Sequence, residues 1–179
     1  QPEVSTNLWA PYFSNQLEVI RQIAISLPGK YTLLVKEHPI MLGWRSTAYY
    51  EKINGLPNVK LIPYKFNSYE VMSNNYCKGV IVISGTSGFE AILLKKPTIM
   101  LSNMFYDVLP HCFRVKDIAN IPDTIKKMDS LDLSLKENEE KLILLIATLY
   151  EQSIALNYGS LWGLNKDGSI DNYLELIEN

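Results

Sequence analysis

Short apolar runs recur along this chain, separated by stretches with helical spacing, and that alternation constrains the fold more than any other feature. The runs "YTLLVKE" (31–37), "NVKLIPY" (58–64), "KGVIVIS" (78–84) and "PTIMLS" (97–102) are rich in aliphatic and β-branched residues. They are too brief for buried helices and read as strands covered on both faces. In 14–27, Leu17, Ile20, Ile23, Ala24 and Leu27 repeat at helical spacing, with Ser14 as the expected N-cap and Pro28-Gly29 as the stop. Residues 46–55 read as a short helix closed by Gly55 and Pro57. Asn67 to Tyr76 reads as another, capped by Asn67 or Ser68, and 86–95 as a third. Strands alternating with helices predict an α/β, Rossmann-like parallel sheet with helices on both faces. Beyond it, "FRVKDI" (113–118) is expected to add a strand, 123–128 a short helix, and 136–158 a long amphipathic helix ending near Gly159. The chain thus reads as a single Rossmann-like domain, 1–179, with a helical C-terminal extension over about 136–179.

Composition narrows the function classes. With 47% hydrophobic and 20% charged residues, the chain can build a real core and is not a disordered tail. A net charge of −2 argues against a general nucleic-acid binder, which carries a basic stripe. Cys77 and Cys112 are too far apart for a short metal-type spacing, so neither a disulfide framework nor a zinc site is expected, which suits a reducing compartment. No apolar stretch approaches the ~20 residues needed to cross a bilayer. The chain opens on "QPEVSTNLWAPYF" without an initiator Met and is read as a fragment of a longer protein.

In open parallel sheets, ligands bind outside the carboxyl ends of the strands. Two such ends carry unusual chemistry. At the first, Ser84-Gly85-Thr86-Ser87-Gly88 follows a strand and opens a helix, with Glu90 just inside it. The first N–H groups of a helix point outward with partial positive charge, a ready seat for phosphate. Gly85 and Gly88 would let backbone approach a ligand, and Thr86 and Ser87 add hydroxyl donors. The same residues suit a plain capped helix on a tight turn, with Ser87 and Glu90 spaced as a capping box. Glu90 is equally placed to accept from ribose hydroxyls. The local pattern leaves these readings open. At the second end, Lys36-Glu37-His38-Pro39 closes a strand, and Pro39 restricts His38 to extended geometry. A histidine there serves either as a structural hydrogen-bonding group or as a contact to the anion at the 84–88 turn.

At these residues a resemblance emerges. "QPE" (1–3), "LVKEHP" (34–39), the G-x-R of Gly43 to Arg45, "LPNVKLI" (56–62) and "SGTSGFEAILLKKPTI" (84–99) resemble bacterial capsule-polysaccharide glycosyltransferases. The nearest image is the C-terminal nucleotide-sugar-binding half of the retaining β-Kdo transferases and their surface-carbohydrate relatives. The resemblance covers residues 1–110 and thins beyond. It implies one half of a GT-B fold, in which two Rossmann-like domains enclose the active site. It further implies a CMP-linked donor such as CMP-Kdo, with His38 and Pro39 at its phosphate or cytidine, Ser84, Gly85, Thr86, Ser87 and Gly88 as phosphate cradle, and Glu90 on the ribose. Glycerophosphate transferases of teichoic-acid synthesis pair the same motifs, so CDP-glycerol and UDP-sugar donors, and an epimerase of GT-B shape, stay open alternatives.

Gln1, Glu3, Lys36, Glu37, Arg45 and Tyr106 are accessory candidates. Arg45 offers a guanidinium for phosphate or a surface ion pair, and Tyr106 offers a ring for base stacking or for packing. His111 and Cys112 receive no role. The sequence assigns no catalytic residue; by the resemblance, acid/base groups and the oligosaccharide or glycolipid acceptor belong to an N-terminal domain. No Asp-x-Asp cluster occurs, and neither metal nor cofactor is expected. The implied location is the cytoplasm, with the full-length protein at the inner face of the bacterial plasma membrane. A non-catalytic Rossmann-like interaction module is the competing class.

Overall fold

The computed structural model describes residues 10–38, 41 and 43–154. They form two compact units. One spans Gln1–Leu142 and holds every described strand; the other begins at Ile143, and its described part is helical to Gln152.

The first unit alternates strand and helix as its apolar pattern requires. After a 3-10 turn at Pro11–Phe13 come α1 (Gln16–Ser26), β1 (Leu33–Lys36), α2 (Thr47–Asn54), β2 (Val59–Ile62), α3 (Ser68–Ser73), β3 (Val80–Val82), α4 (Thr86–Leu93) and β4 (Thr98–Met100). β5 (Cys112–Arg114), a 3-10 turn at Ile118–Asn120, α5 (Ile121–Asp129) and α6 (Lys136–Gln152) follow. All strand pairs are parallel. Hydrogen bonding runs in two ladders, β1-β2 and β3-β4-β5, rather than in one continuous sheet. Leu33 of β1 nevertheless packs into the same core as Ile81 and Ile83, so the ladders share an apolar interior. The architecture is α/β and Rossmann-like.

β4 lies between two neighbours and is buried throughout. Ile99 enters a cluster with Val19 and Ile23 of α1 and Ile121 and Ile125 of α5. Thr98 meets the other face, where its hydroxyl reaches toward the Gly88 carbonyl of α4 at 3.4 Å. Each fully buried aliphatic side chain of this kind stabilises the fold by roughly 1.5–3 kcal/mol. A smaller cluster of Ala24, Ile53 and Val59 seats α1 and α2 on the first ladder. There the Asn58 amide donates to the Ala24 carbonyl at 2.6 Å.

Several boundaries differ from expectation, each for a local reason. α1 is capped by Asn15, whose side chain accepts from the Glu18 N–H at 3.2 Å, and not by Ser14, which the preceding 3-10 turn occupies as its own C-cap. α3 stops at Ser73, where Asn74 turns extended and its side chain accepts from the Tyr76 N–H at 2.9 Å. The strand expected over 113–118 is only β5, and within that span Asp117 accepts from the Ala119 N–H and caps a 3-10 turn. The expected helix end near Gly159 lies outside the described residues.

Candidate functional site

β3 delivers the chain to Ser84-Gly85, and two contacts from the segment after β4 hold the exit. Ser102 Oγ donates to the Ile83 carbonyl at 2.6 Å, and Tyr106 Oη donates to the Gly85 carbonyl at 2.9 Å. Gly85 has φ +132° and ψ 172°, a region that only glycine occupies without strain. Gly88 is demanded by space instead. A Cβ there would lie 2.3 Å from Tyr106 Oη and 3.1 Å from a Val82 methyl. The two glycines of the turn therefore have separate physical causes.

The side chain that Gly88 lacks would point inward to Tyr106, so packing accounts for this glycine, while its N–H remains in the first turn of α4. Tyr106 is 0% exposed, so its ring has no face for a base to stack on. It packs in an aromatic group instead, with Phe89 at 5.9 Å in a stacked arrangement and Phe105 edge-on at 5.0 Å. Burial, with the neighbouring Cys112 adding to it, pushes the Tyr106 hydroxyl up to about 12, so it stays a proton donor to Gly85. Nothing in the local pattern of 84–90 announces this support, which comes from 16 or more residues downstream; the only signal was an aromatic just after a strand.

The start of α4 also differs from a capped helix. Its N-cap is Gly85, which has no side chain to offer, and no side chain caps the first turn. Glu90 is the fifth helical residue, more than a turn's worth of positions from a reciprocal pairing with Gly85, so the Ser87–Glu90 capping box does not form. The leading N–H groups of Thr86, Ser87 and Gly88 thus carry the helix's partial positive charge without a competing side-chain oxygen. Thr86 and Glu90 are exposed and Ser84 and Ser87 half-buried.

At the end of β1, Lys36 closes the strand and His38 is exposed, its carbonyl accepting from the Met41 N–H at 2.9 Å. Glu37 and Arg45 form an ion pair, Nε to Oε2 at 2.9 Å, with side chains only 18% and 17% exposed. The Nε–H does not point along that contact, so charge more than a shaped hydrogen bond holds it. Arg45 also donates to Gln16 and stands 4.4 Å over the Tyr49 ring. Glu37 further accepts from the His38 N–H at 3.3 Å and the Tyr50 hydroxyl at 3.5 Å. Of the two uses open to Arg45, phosphate contact or ion pair, the structure shows the ion pair, and with Gln16 and Tyr49 it ties the loop after β1 to α1 and α2. Gln1, Glu3 and Pro39 lie outside the described residues.

Among the described residues there is no group of three or more His, Cys, Asp or Glu placed to hold a metal ion, and no helix is long and apolar enough to cross a membrane. Cys77 and Cys112 are both free thiols.

What the arrangement offers chemically is a rigid strand-to-helix turn with unclaimed amides and hydroxyls, and an exposed imidazole at another strand end. Comparison with known proteins adds the context. No curated protein and no solved structure matches the chain. The family described as capsule polysaccharide biosynthesis protein matches residues 10–109, a segment that runs from the start of the described core through both strand ends and the Tyr106 support. That segment is more than half of the 179 residues, and the chain belongs to this family of capsule polysaccharide biosynthesis proteins.

Proposed function

We propose that this chain is the donor-binding domain of a glycosyltransferase of capsule or surface polysaccharide synthesis, and that the α4 turn seats the phosphate of a nucleotide sugar. The observation that carries the reading is the uncapped start of α4, held open by Tyr106 in a member of the capsule-synthesis family. The amides of Thr86, Ser87 and Gly88, with the Ser84, Thr86 and Ser87 hydroxyls, would hold the phosphate. His38 would add a donor from the end of β1, and Glu90 would meet the ribose. As the sugar bond breaks, negative charge grows on the departing nucleotide, and fixed amide dipoles stabilise it without reorganising. The reading requires no metal at this turn. The resemblance to Kdo transferases favours a CMP-linked donor such as CMP-Kdo. It assigns the acceptor and the acid/base groups to a second Rossmann-like domain, working at the cytoplasmic face of the plasma membrane.

Calorimetric titration of the purified chain with CMP, CDP, UDP and GDP tests this, repeated on His38→Ala and Thr86→Ala. Saturable CMP or CDP binding, weakened at least several-fold by both substitutions, is the expected result. UDP binding in its place would keep a transferase and discard the cytidine assignment. A folded chain that binds none of the four, or binds one with both variants unchanged, overturns the phosphate role of the turn.

A further inference from the structure

A second feature lies on the same sheet edge and is not used by the reading above. Where β5 ends and α5 begins, a groove of about 440 Å³ is lined by Arg114, Lys116, Asn120, Asp123, Thr124 and Lys127 around buried Val115. Asp123 is already engaged, bonded to Lys126 at 2.9 Å, and the two cancel. Arg114, Lys116 and Lys127 make no ion pair among the described residues. All three are exposed. Lys127 lines the same groove, four residues on from Asp123 along α5. Thr124 Oγ1 donates to the Asn120 carbonyl at 2.9 Å, which fixes the rim. A chain of net charge −2 thus gathers three cations that make no ion pair on one concavity, with the Lys126-paired Asp123 carboxylate at its rim.

Strand register locates this groove. Val82, Met100 and Arg114 stand side by side across β3, β4 and β5. Two strand spacings, about 10 Å, separate the backbone at Arg114 from the strand that leads into the α4 turn. One phosphate group does not span both places.

We propose that the groove is a second anion site, separate from the α4 turn, that takes the diphosphate group of a small ligand. Arg114 supplies a planar fork suited to two oxygens of one phosphate, and Lys116 and Lys127 act as point charges on the other. A single phosphate ester carries about −1.5 to −2 charge at neutral pH, so a diphosphate matches three cations better than a monoester does. The concave shape favours a compact anion over a flat lipid surface.

The test is an amide NMR titration of the full 179-residue chain with inorganic pyrophosphate at low salt, with orthophosphate and phosphatidylglycerol vesicles as parallel arms. The expected result is saturating shifts across residues 114–127, with pyrophosphate binding more tightly than orthophosphate. Arg114→Gln/Lys116→Gln/Lys127→Gln should weaken pyrophosphate at least tenfold while keeping a folded spectrum, and Thr86→Ala should leave this site unchanged. Lys116→Gln alone, expected to weaken it several-fold, covers the case in which the triple variant misfolds. Shifts confined to 84–88, binding unaltered in the folded variants, or a response that sodium chloride reproduces overturns the proposal. So does vesicle binding without any pyrophosphate response, which assigns the groove to a membrane surface.

Discussion

The hydroxyl of Tyr106 donates to the carbonyl of Gly85 at 2.9 Å and occupies the space that a side chain at position 88 would fill. That buried ring dictates Gly88 of Ser84-Gly85-Thr86-Ser87-Gly88, while Gly85 is required by its own φ of +132°. The ring also explains how a helix start without a capping side chain keeps its geometry. Tyr106→Phe should destabilise the chain by about 1–3 kcal/mol, since it leaves a carbonyl without its donor. Gly88→Ala should cost at least as much, because the added methyl overlaps the hydroxyl of a buried ring that is itself packed against Phe89 and Phe105. Urea denaturation checks both, and a Gly88→Ala protein as stable as the parent would falsify the packing argument.

At the other end of α4, Lys95 adopts φ +56°. The Lys96 N–H bonds the Ala91 carbonyl and the Lys95 N–H the Ile92 carbonyl, both at 2.9 Å, which is the paired closure that usually places glycine at the left-handed position. Lys95→Gly should therefore raise stability by about 1 kcal/mol. The ion pair it removes, to Glu139 at 3.9 Å, is exposed and contributes little. A lower urea midpoint in Lys95→Gly would show that this lysine is held by something stronger than the closure.

Glu37 and Arg45 are largely shielded from solvent, so their pairing should be measurable. A double-mutant cycle with Glu37→Gln and Arg45→Gln is expected to give a coupling near 1 kcal/mol. Independent, additive effects would mean that Arg45 acts through Gln16 and Tyr49 alone.

His111 is 4% exposed, and neither ring nitrogen has a hydrogen-bond partner. Burial lowers its pKa below the ordinary 6.5, so the folded state keeps it neutral while the unfolded chain protonates it near that value. The unfolded state then binds the extra proton, and stability falls as pH drops below 6.5 until the folded-state pKa is reached. Thermal melts between pH 7.5 and about 5, above most carboxylate titration, should show this loss. His111→Leu should flatten the curve in that interval. Equal slopes for the two proteins would remove His111 as the cause.

The sequence made much of the fold legible. Short apolar runs such as "VIVI" and "TIML" admit few alternatives to buried strands, and of the expected stripe on α1 Ile23 and Ala24 are buried, Ile23 in the cluster of Ile99, which Val19, outside that stripe, also joins. Boundaries were less legible because they depend on single side-chain bonds. Asn15 rather than Ser14 caps α1, and Asp117 caps a 3-10 turn where the strand after Arg114 was expected to continue. Family membership was also within reach of the sequence, since the quoted stretches from 34 to 99 fall inside the matched segment.

By itself the sequence determined an α/β chain of alternating strands and helices, with its unusual residues at strand ends, because hydrophobic periodicity is a local property that survives without knowing any partner. Only the tertiary structure decided which of those residues remain available. Arg45 and Glu37 turned toward each other, the side of Gly88 where a Cβ would stand turned inward, and Tyr106 became the support beneath the turn. Those outcomes rest on contacts across eight to twenty-one residues, and whether a charge or a hydroxyl faces solvent or a neighbour is set by the neighbour's position, which no local pattern encodes.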